Sequence, residues 1–261
     1  DEGAAKVRDA VNGLGDGRSV IAGRLVQTSS PYAALANGMA AHALDFDDTF
    51  LESITHASAV LVPALFALGD EMNASGADIV DAYIVGLELH GALGKALNRS
   101  HYDQGWHATS TLGVIGTAGA CARLMKLDET RFAHALNLAV SSCAGTKVQF
   151  GSMAKPLHAG LAAKNAVEAA KKSTTSVLMM SPVSTSKCAP VMCKICAIAI
   201  RTMNLKHGFR CNIASPSRSD TVPSGCSILP RLQLVALKFA RCFRKSSCVN
   251  TIWKTVVVRT A

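Results

Sequence analysis

The densest cluster of polar side chains in the sequence is a short stretch that contains His42, three aspartates and Thr49. On an α-helix of about 100° per residue, His42, Asp45 and Thr49 would share one face, whereas Asp47 would point elsewhere. That face would carry an imidazole, a carboxylate and a hydroxyl, which are groups that can exchange protons with a substrate. Acids at the end of a helix oppose its dipole, so a solvated turn or a cap is the alternative. The apolar lead-in over 33–44 favours a functional role.

Imidazoles and an ammonium recur in three further short motifs. His56 follows Thr55, and Trp106 precedes His107 in a glycine-flanked loop, where the imidazole would face a cavity. Lys155 stands directly before a proline that opens a helix, so its ammonium and the terminal N–H groups can act on one anion. For each motif alone, a structural histidine or an exposed lysine remains the alternative. The other histidines that we interpret as structural or surface residues are His90, His101 and His134.

The segments that must position these motifs have helical sequence patterns. Apolar residues recur at helical spacing after Ser75-Gly-Ala-Asp78, which is similar to a capping box. Glycines at positions 113, 116 and 119 would let another backbone approach closely, as would the small residues at 160, 162 and 163. Residues 1–170 are therefore predicted to form an all-α helical bundle domain. The predicted helices cover 33–50, 76–98, 111–127, 128–139 and 156–170.

The composition of the 261-residue chain changes near residue 171. Residues 1–170 carry 12 Lys and Arg against 17 Asp and Glu, a net charge of −5. Residues 171–261 carry 15 against 1, a net charge of +14, together with seven of the nine cysteines. We predict a poorly ordered, basic, Cys/Ser-rich tail. The loss of acids and the gain of Cys, Ser and Arg are typical of translation in a shifted frame or of unspliced sequence, which we take as a hypothesis.

Compartment and metal signals in the sequence are weak. No apolar run reaches the roughly 18 to 20 residues of a membrane span, and no signal peptide is recognisable, so the sequence predicts a cytoplasmic protein. Cys121 and Cys143 are predicted to be reduced core residues. A zinc site formed by four cysteines of the tail, at 188, 193, 196 and 211, is an alternative. The second close pair of cysteines that a zinc ribbon needs is missing.

Taken in order, the motifs resemble those of the MmgE/PrpD family, over about residues 1–170. Members of this family are longer, with a helical domain that starts earlier and a second α+β domain, so the resemblance implies an incomplete helical domain here. It implies catalytic roles for Asp45, His56 and His107, and substrate-binding roles for Thr49, Lys155 and His158. The motifs are Asn37 to Thr49, Thr55 to Ser58 with Pro63 to Leu65, Gly105 to Ser110, and Met153 to Gly160.

The resemblance also implies a reaction class. Family members dehydrate 2-methylcitrate, decarboxylate cis-aconitate or epimerise iminodisuccinate, and the motifs are most similar to the epimerase-like branch. We therefore expect acid–base chemistry on a small polycarboxylate, in a homodimer, with no metal and no organic cofactor. Residues 171–261 have no match to the groups of the second domain, so we expect little turnover from this chain.

Two alternatives from other classes stay open. In the first, Asp45, Asp47 and Asp48 bind Mg²⁺ in an all-α prenyl-diphosphate enzyme, a reading that needs a second acidic motif not found in the sequence. In the second, the chain is a non-catalytic relative whose basic tail binds nucleic acid non-specifically through phosphates.

Overall fold

The computed structural model describes residues 1–24, 26–97 and 100–175, and the fold there is mostly helical, as predicted. Most of the predicted tail, from residue 176 onward, lies outside the described residues. The elements are α1 (Glu2–Val11), β1 (Ser19–Val20), β2 (Gln27–Thr28), α2 (Ser30–His42), α3 (Ala57–Met72), α4 (Gly76–Leu97), α5 (Ser100–Asp103), α6 (Ala108–Leu124), α7 (Glu129–Ser141), the 3₁₀ turn η1 (Lys147–Gln149) and α8 (Ala154–Lys172). The two short strands pair antiparallel.

Side-chain caps begin several of the helices. At the start of α4, the Asp78 N–H donates to Ser75 Oγ at 3.1 Å, which is the first bond of the predicted capping box. The second bond runs from the Ser75 hydroxyl, rather than its backbone N–H, to the Asp78 carboxylate at 2.6 Å. At the start of α7, Asp128 accepts a hydrogen bond from the Arg131 N–H at 2.9 Å. The helices α4 and α7 therefore begin within one residue of the starts that the capping signals predicted, 76 and 128.

Helix α6 lies at the centre of the bundle and packs against α3, α4, α7 and α8. The predicted close contacts occur at its glycines and at Gly160 of α8. A Cβ at Gly116 would lie 2.2 Å from His90 Cδ2 of α4, and a Cβ at Gly160 would lie 2.4 Å from the Leu35 carbonyl oxygen of α2. Small residues thus let α8 approach α2, and this brings the two helix ends that carry polar motifs together.

The predicted helix over 33–50 is wrong beyond its middle, because α2 ends at His42. Asp45 has a positive φ of 56°, which an α-helix does not allow and which aspartate tolerates better than most residues. The chain then runs as a loop to the Phe50–Thr55 bridge. His42, Asp45 and Thr49 therefore do not share a helix face.

Cys121 and Cys143 carry free thiols, as predicted, and burial raises the pKa of each to about 12. In the part of the chain that the structure describes, no helix is long and apolar enough to cross a membrane.

Candidate active site

Four helix ends carry the polar motifs. His42 is the last residue of α2, His56 and His107 directly precede α3 and α6, and Lys155 is the second residue of α8. The helices α3, α6 and α8 thus direct their N-termini, with their partial positive charge, toward one region. Such a convergence favours a negatively charged ligand.

Four imidazole rings form a row across this region. The ring centroids are 4.8 Å apart between His56 and His42, 5.7 Å between His42 and His107, and 5.3 Å between His107 and His158. The two Nδ1 atoms of His107 and His158 lie 3.1 Å apart, so one of these nitrogens carries the proton of a shared hydrogen bond. Two predicted site residues, His56 and His107, are therefore brought together through His42.

Burial keeps two of these imidazoles neutral. It lowers the pKa of His107 to about 3, with a further contribution from the nearby His42 and His158 rings. Burial also lowers the pKa of His158, and His42 adds to this shift. At neutral pH, His107 thus offers one N–H donor and one lone pair rather than a positive charge. A neutral imidazole of this kind can hydrogen-bond to an oxygen where negative charge develops.

Asp45 and Lys155 form an ion pair at the mouth of the site. The Lys155 ammonium donates to both carboxylate oxygens of Asp45, at 2.6 Å to Oδ1. This hydrogen bond lowers the pKa of Asp45, which keeps the carboxylate ionised. The Asp45 side chain is 55% exposed and that of Lys155 18%, so the carboxylate is open to an incoming ligand. Lys155 Nζ also lies 5.5 Å from the centroid of the Phe150 ring.

Asp47 contacts two of the imidazoles, and the prediction that it points elsewhere is wrong. Its Oδ2 lies 2.7 Å from His42 Nδ1 and 3.5 Å from His56 Nδ1, and its side chain is only 8% exposed. The helix-face argument missed Asp47 because the chain leaves the helix at His42. A signal did exist in the sequence, namely an acid five residues from one site histidine and nine from another.

The neighbouring residues Asp48 and Thr49 have other positions. Asp48 Oδ1 accepts a hydrogen bond from the Ser58 N–H at 2.9 Å, near the start of α3. Thr49 is exposed in the loop, and its hydroxyl forms no hydrogen bond within the described residues. Asp45 and Asp47 lie beside His42, whereas Asp48 is bonded to the start of α3, so the three carboxylates do not form the all-oxygen set that the magnesium alternative needs. The substrate-binding role of Thr49 stays a prediction.

Two further contacts fix the loops around the row of imidazoles. The His56 N–H donates to Thr109 Oγ1 at 3.1 Å, which ties the start of α3 to the first turn of α6. Ser110 Oγ donates to the His158 carbonyl oxygen at 3.3 Å, which ties α6 to α8. Both hydroxyls belong to the Gly105 to Ser110 motif, so this motif has a positioning role in addition to supplying His107.

The fold is a helical domain in which histidines, acids and a lysine meet at helix ends, and the sequence comparison defines its class. Residues 1–178 match the MmgE/PrpD N-terminal domain, which is more than half of the chain, so the chain belongs to the MmgE/PrpD family. This confirms the resemblance found in the sequence motifs.

Curated relatives share the matched region. The chain is 37% identical over 144 residues to cis-aconitate decarboxylase of Homo sapiens, a match that covers 53% of this chain and 30% of that protein. It is 36% identical over 143 residues to the Mus musculus enzyme, covering 53% and 29%. It is 31% identical over 140 residues to that of Aspergillus terreus, covering 51% and 29%. The match thus spans less than a third of the length of these relatives.

Proposed function

We propose that this chain contributes the acid–base half of a site that acts on a small di- or tricarboxylate, without a metal ion. The observation that carries this proposal is the Asp45–Lys155 ion pair beside a row of buried imidazoles. The ammonium offers a cation to a carboxylate, and the imidazoles and the aspartate offer groups that move a proton. Decarboxylation of cis-aconitate is the reaction we favour, since the relatives reported above carry that name.

We assign binding, acid–base and charge-stabilising roles to different residues according to their charge and exposure. Lys155 binds a substrate carboxylate, which competes with Asp45 for the ammonium. Asp45 and His56 are the candidate base and acid, since a carboxylate beside an imidazole can take a proton and return it. When carbon dioxide leaves, the electron pair of the broken C–C bond is delocalised over the neighbouring C=C bond and its carboxylate, and the acid supplies one proton to a carbon of that system. His107 donates its N–H to the oxygen that carries the developing charge.

The same groups support two related reactions. Dehydration of 2-methylcitrate and epimerisation of iminodisuccinate also need a base near a carbon next to a carboxylate, so they are the alternatives within the family. We retain a homodimer and a cytoplasmic location as parts of the proposal. The non-catalytic alternative depends on the basic tail, which lies mainly outside the described residues.

Binding is the first test, because it depends on the site described above. Cis-aconitate, 2-methylcitrate and iminodisuccinate are titrated into the chain by calorimetry with a chelator present, and turnover is followed in parallel. We expect one of them to bind, and Lys155→Ala to weaken binding by about 10- to 100-fold, as for the loss of a charged hydrogen bond. The control is His134→Gln on α7, which should bind like the unaltered chain. Equal binding by Lys155→Ala, or activity that requires added Mg²⁺, would contradict the proposal.

A further inference from the structure

Four residues of the site also form a set of potential metal ligands. His42, Asp45, Asp47 and His56 each offer one ligand atom, and these atoms lie within 4.8 Å of one another. Two imidazoles and two carboxylates are a donor set that suits Zn²⁺ and neighbouring transition metals, whereas Mg²⁺ prefers oxygen ligands alone.

Two buried atoms of this set have no hydrogen-bond partner. Within the described residues, Asp47 Oδ1 and His56 Nδ1 are buried without one. The side chain of His42 is fully buried and that of Asp47 is more than nine-tenths buried. Buried polar atoms are normally satisfied, so this concentration in one cluster indicates a place for a ligand. His56 Nδ1 faces Asp47 Oδ2 at 3.5 Å, which is too far for a good hydrogen bond.

Two of the separations within this set are close to those around a tetrahedral ion. Two ligand atoms that each lie about 2.1 Å from a tetrahedral Zn²⁺ are about 3.4 Å apart. The distance from His56 Nδ1 to Asp47 Oδ2 is 3.5 Å, and that from His42 Nδ1 to Asp45 Oδ1 is 3.8 Å. The distance from His42 Nδ1 to Asp47 Oδ2 is 2.7 Å and must lengthen when an ion binds.

We propose that His42, Asp45, Asp47 and His56 bind a divalent transition metal ion such as Zn²⁺, and that this ion blocks the site. The ion requires Asp45, which is held by Lys155 in its absence, so metal and lysine compete for one carboxylate. Inhibition also rests on the proposed function, because Asp45 and His56 cannot transfer protons while they bind a metal. Binding of the ion does not depend on that function.

The test measures Zn²⁺ binding to the full chain against a chromophoric chelator, with no substrate present. Accessible thiols are first alkylated with iodoacetamide, since the chain has nine cysteines. We expect the unaltered chain and His134→Gln to bind one equivalent more than His42→Gln and Asp47→Asn. Asp45→Asn, which changes a half-exposed ligand, should weaken binding at least about tenfold and covers the case in which a buried variant fails to fold. Equal stoichiometry and affinity in all variants would overturn the inference.

Lys155→Ala separates this inference from the proposed function. Removing the ammonium frees Asp45, so Zn²⁺ should bind more tightly to this variant while a polycarboxylate binds less tightly. If polycarboxylates do not bind but Zn²⁺ shows the expected variant pattern, the metal site stands and the proposed function fails. If Zn²⁺ binds no more tightly to Lys155→Ala than to the unaltered chain, the competition for Asp45 is wrong.

Discussion

At the scale of single residues, the site combines groups whose charges are fixed by different causes. Lys155 keeps Asp45 ionised through a hydrogen bond between residues 110 positions apart in the chain. Burial keeps His107 neutral, with only 3% of the residue exposed. A charged carboxylate and an uncharged imidazole thus lie in one region, a combination that suits the acid–base chemistry proposed above.

Asp45→Asn and His107→Gln should both impair the reaction, by different routes. Asp45→Asn removes a proton acceptor at nearly constant shape and leaves Lys155 free to bind carboxylate, so kcat should fall by about 100- to 10,000-fold without a rise in KM. His107→Gln removes one preorganised donor, so kcat/KM should fall by about 10- to 1000-fold.

The effects of both substitutions are measured from initial rates with cis-aconitate in a preparation that shows turnover. Full activity in both variants would remove these residues from the site.

Sequence reasoning found the residue types of the site more readily than their arrangement. The proline after Lys155 marked the start of α8 in the sequence, whereas the start of α3 after His56 was not predicted and that of α6 after His107 was predicted three residues too late. Asp47 was missed because its position depends on a loop whose path is fixed by Asp45 at positive φ and by the Phe50–Thr55 bridge. Neither feature has a periodic pattern that the sequence could show.

At the scale of elements, close packing of α4 on α6 holds the central helix in place. His90 of α4 is fully buried against Gly116 of α6, and its Nδ1 lies 3.4 Å from the Thr55 hydroxyl. The glycine spacing in α6 predicted such contacts, although it did not identify the partner helix. Partner identity depends on the tertiary fold, which a spacing of three residues does not encode.

Substituting two glycines by alanine should shift stability in opposite directions. In Gly116→Ala the new Cβ would lie 2.2 Å from the fully buried His90 ring, so the free energy of unfolding should fall by about 1–3 kcal/mol. In Gly91→Ala on α4 the nearest atom is Phe50 Cζ at 3.5 Å, an ordinary contact, and the helix gains up to about 1 kcal/mol. Urea denaturation measures both. Equal effects would show that the contact at Gly116 is not tight.

At the scale of the whole molecule, buried neutral histidines couple folding to pH. Burial lowers the pKa of His90 from the ordinary value of 6.5 to about 4, and it lowers that of His107 to about 3. In the unfolded chain both rings regain ordinary values, so between about pH 6.5 and pH 4 the unfolded state binds more protons than the folded state. Mild acid should therefore lower the free energy of unfolding through His90 in the core and through His107 in the site.

The free energy of unfolding should accordingly fall as the pH is lowered from 7 to 4. Each of the two rings contributes a slope of up to about 1.4 kcal/mol per pH unit below pH 6.5, and their effect is absent above that pH. Urea denaturation at a series of pH values measures the slope. His90→Asn and His107→Gln each remove one titrating ring, so each should flatten the slope even where the variant is less stable overall. A slope unchanged by both substitutions would mean that these two rings do not stay neutral in the folded chain.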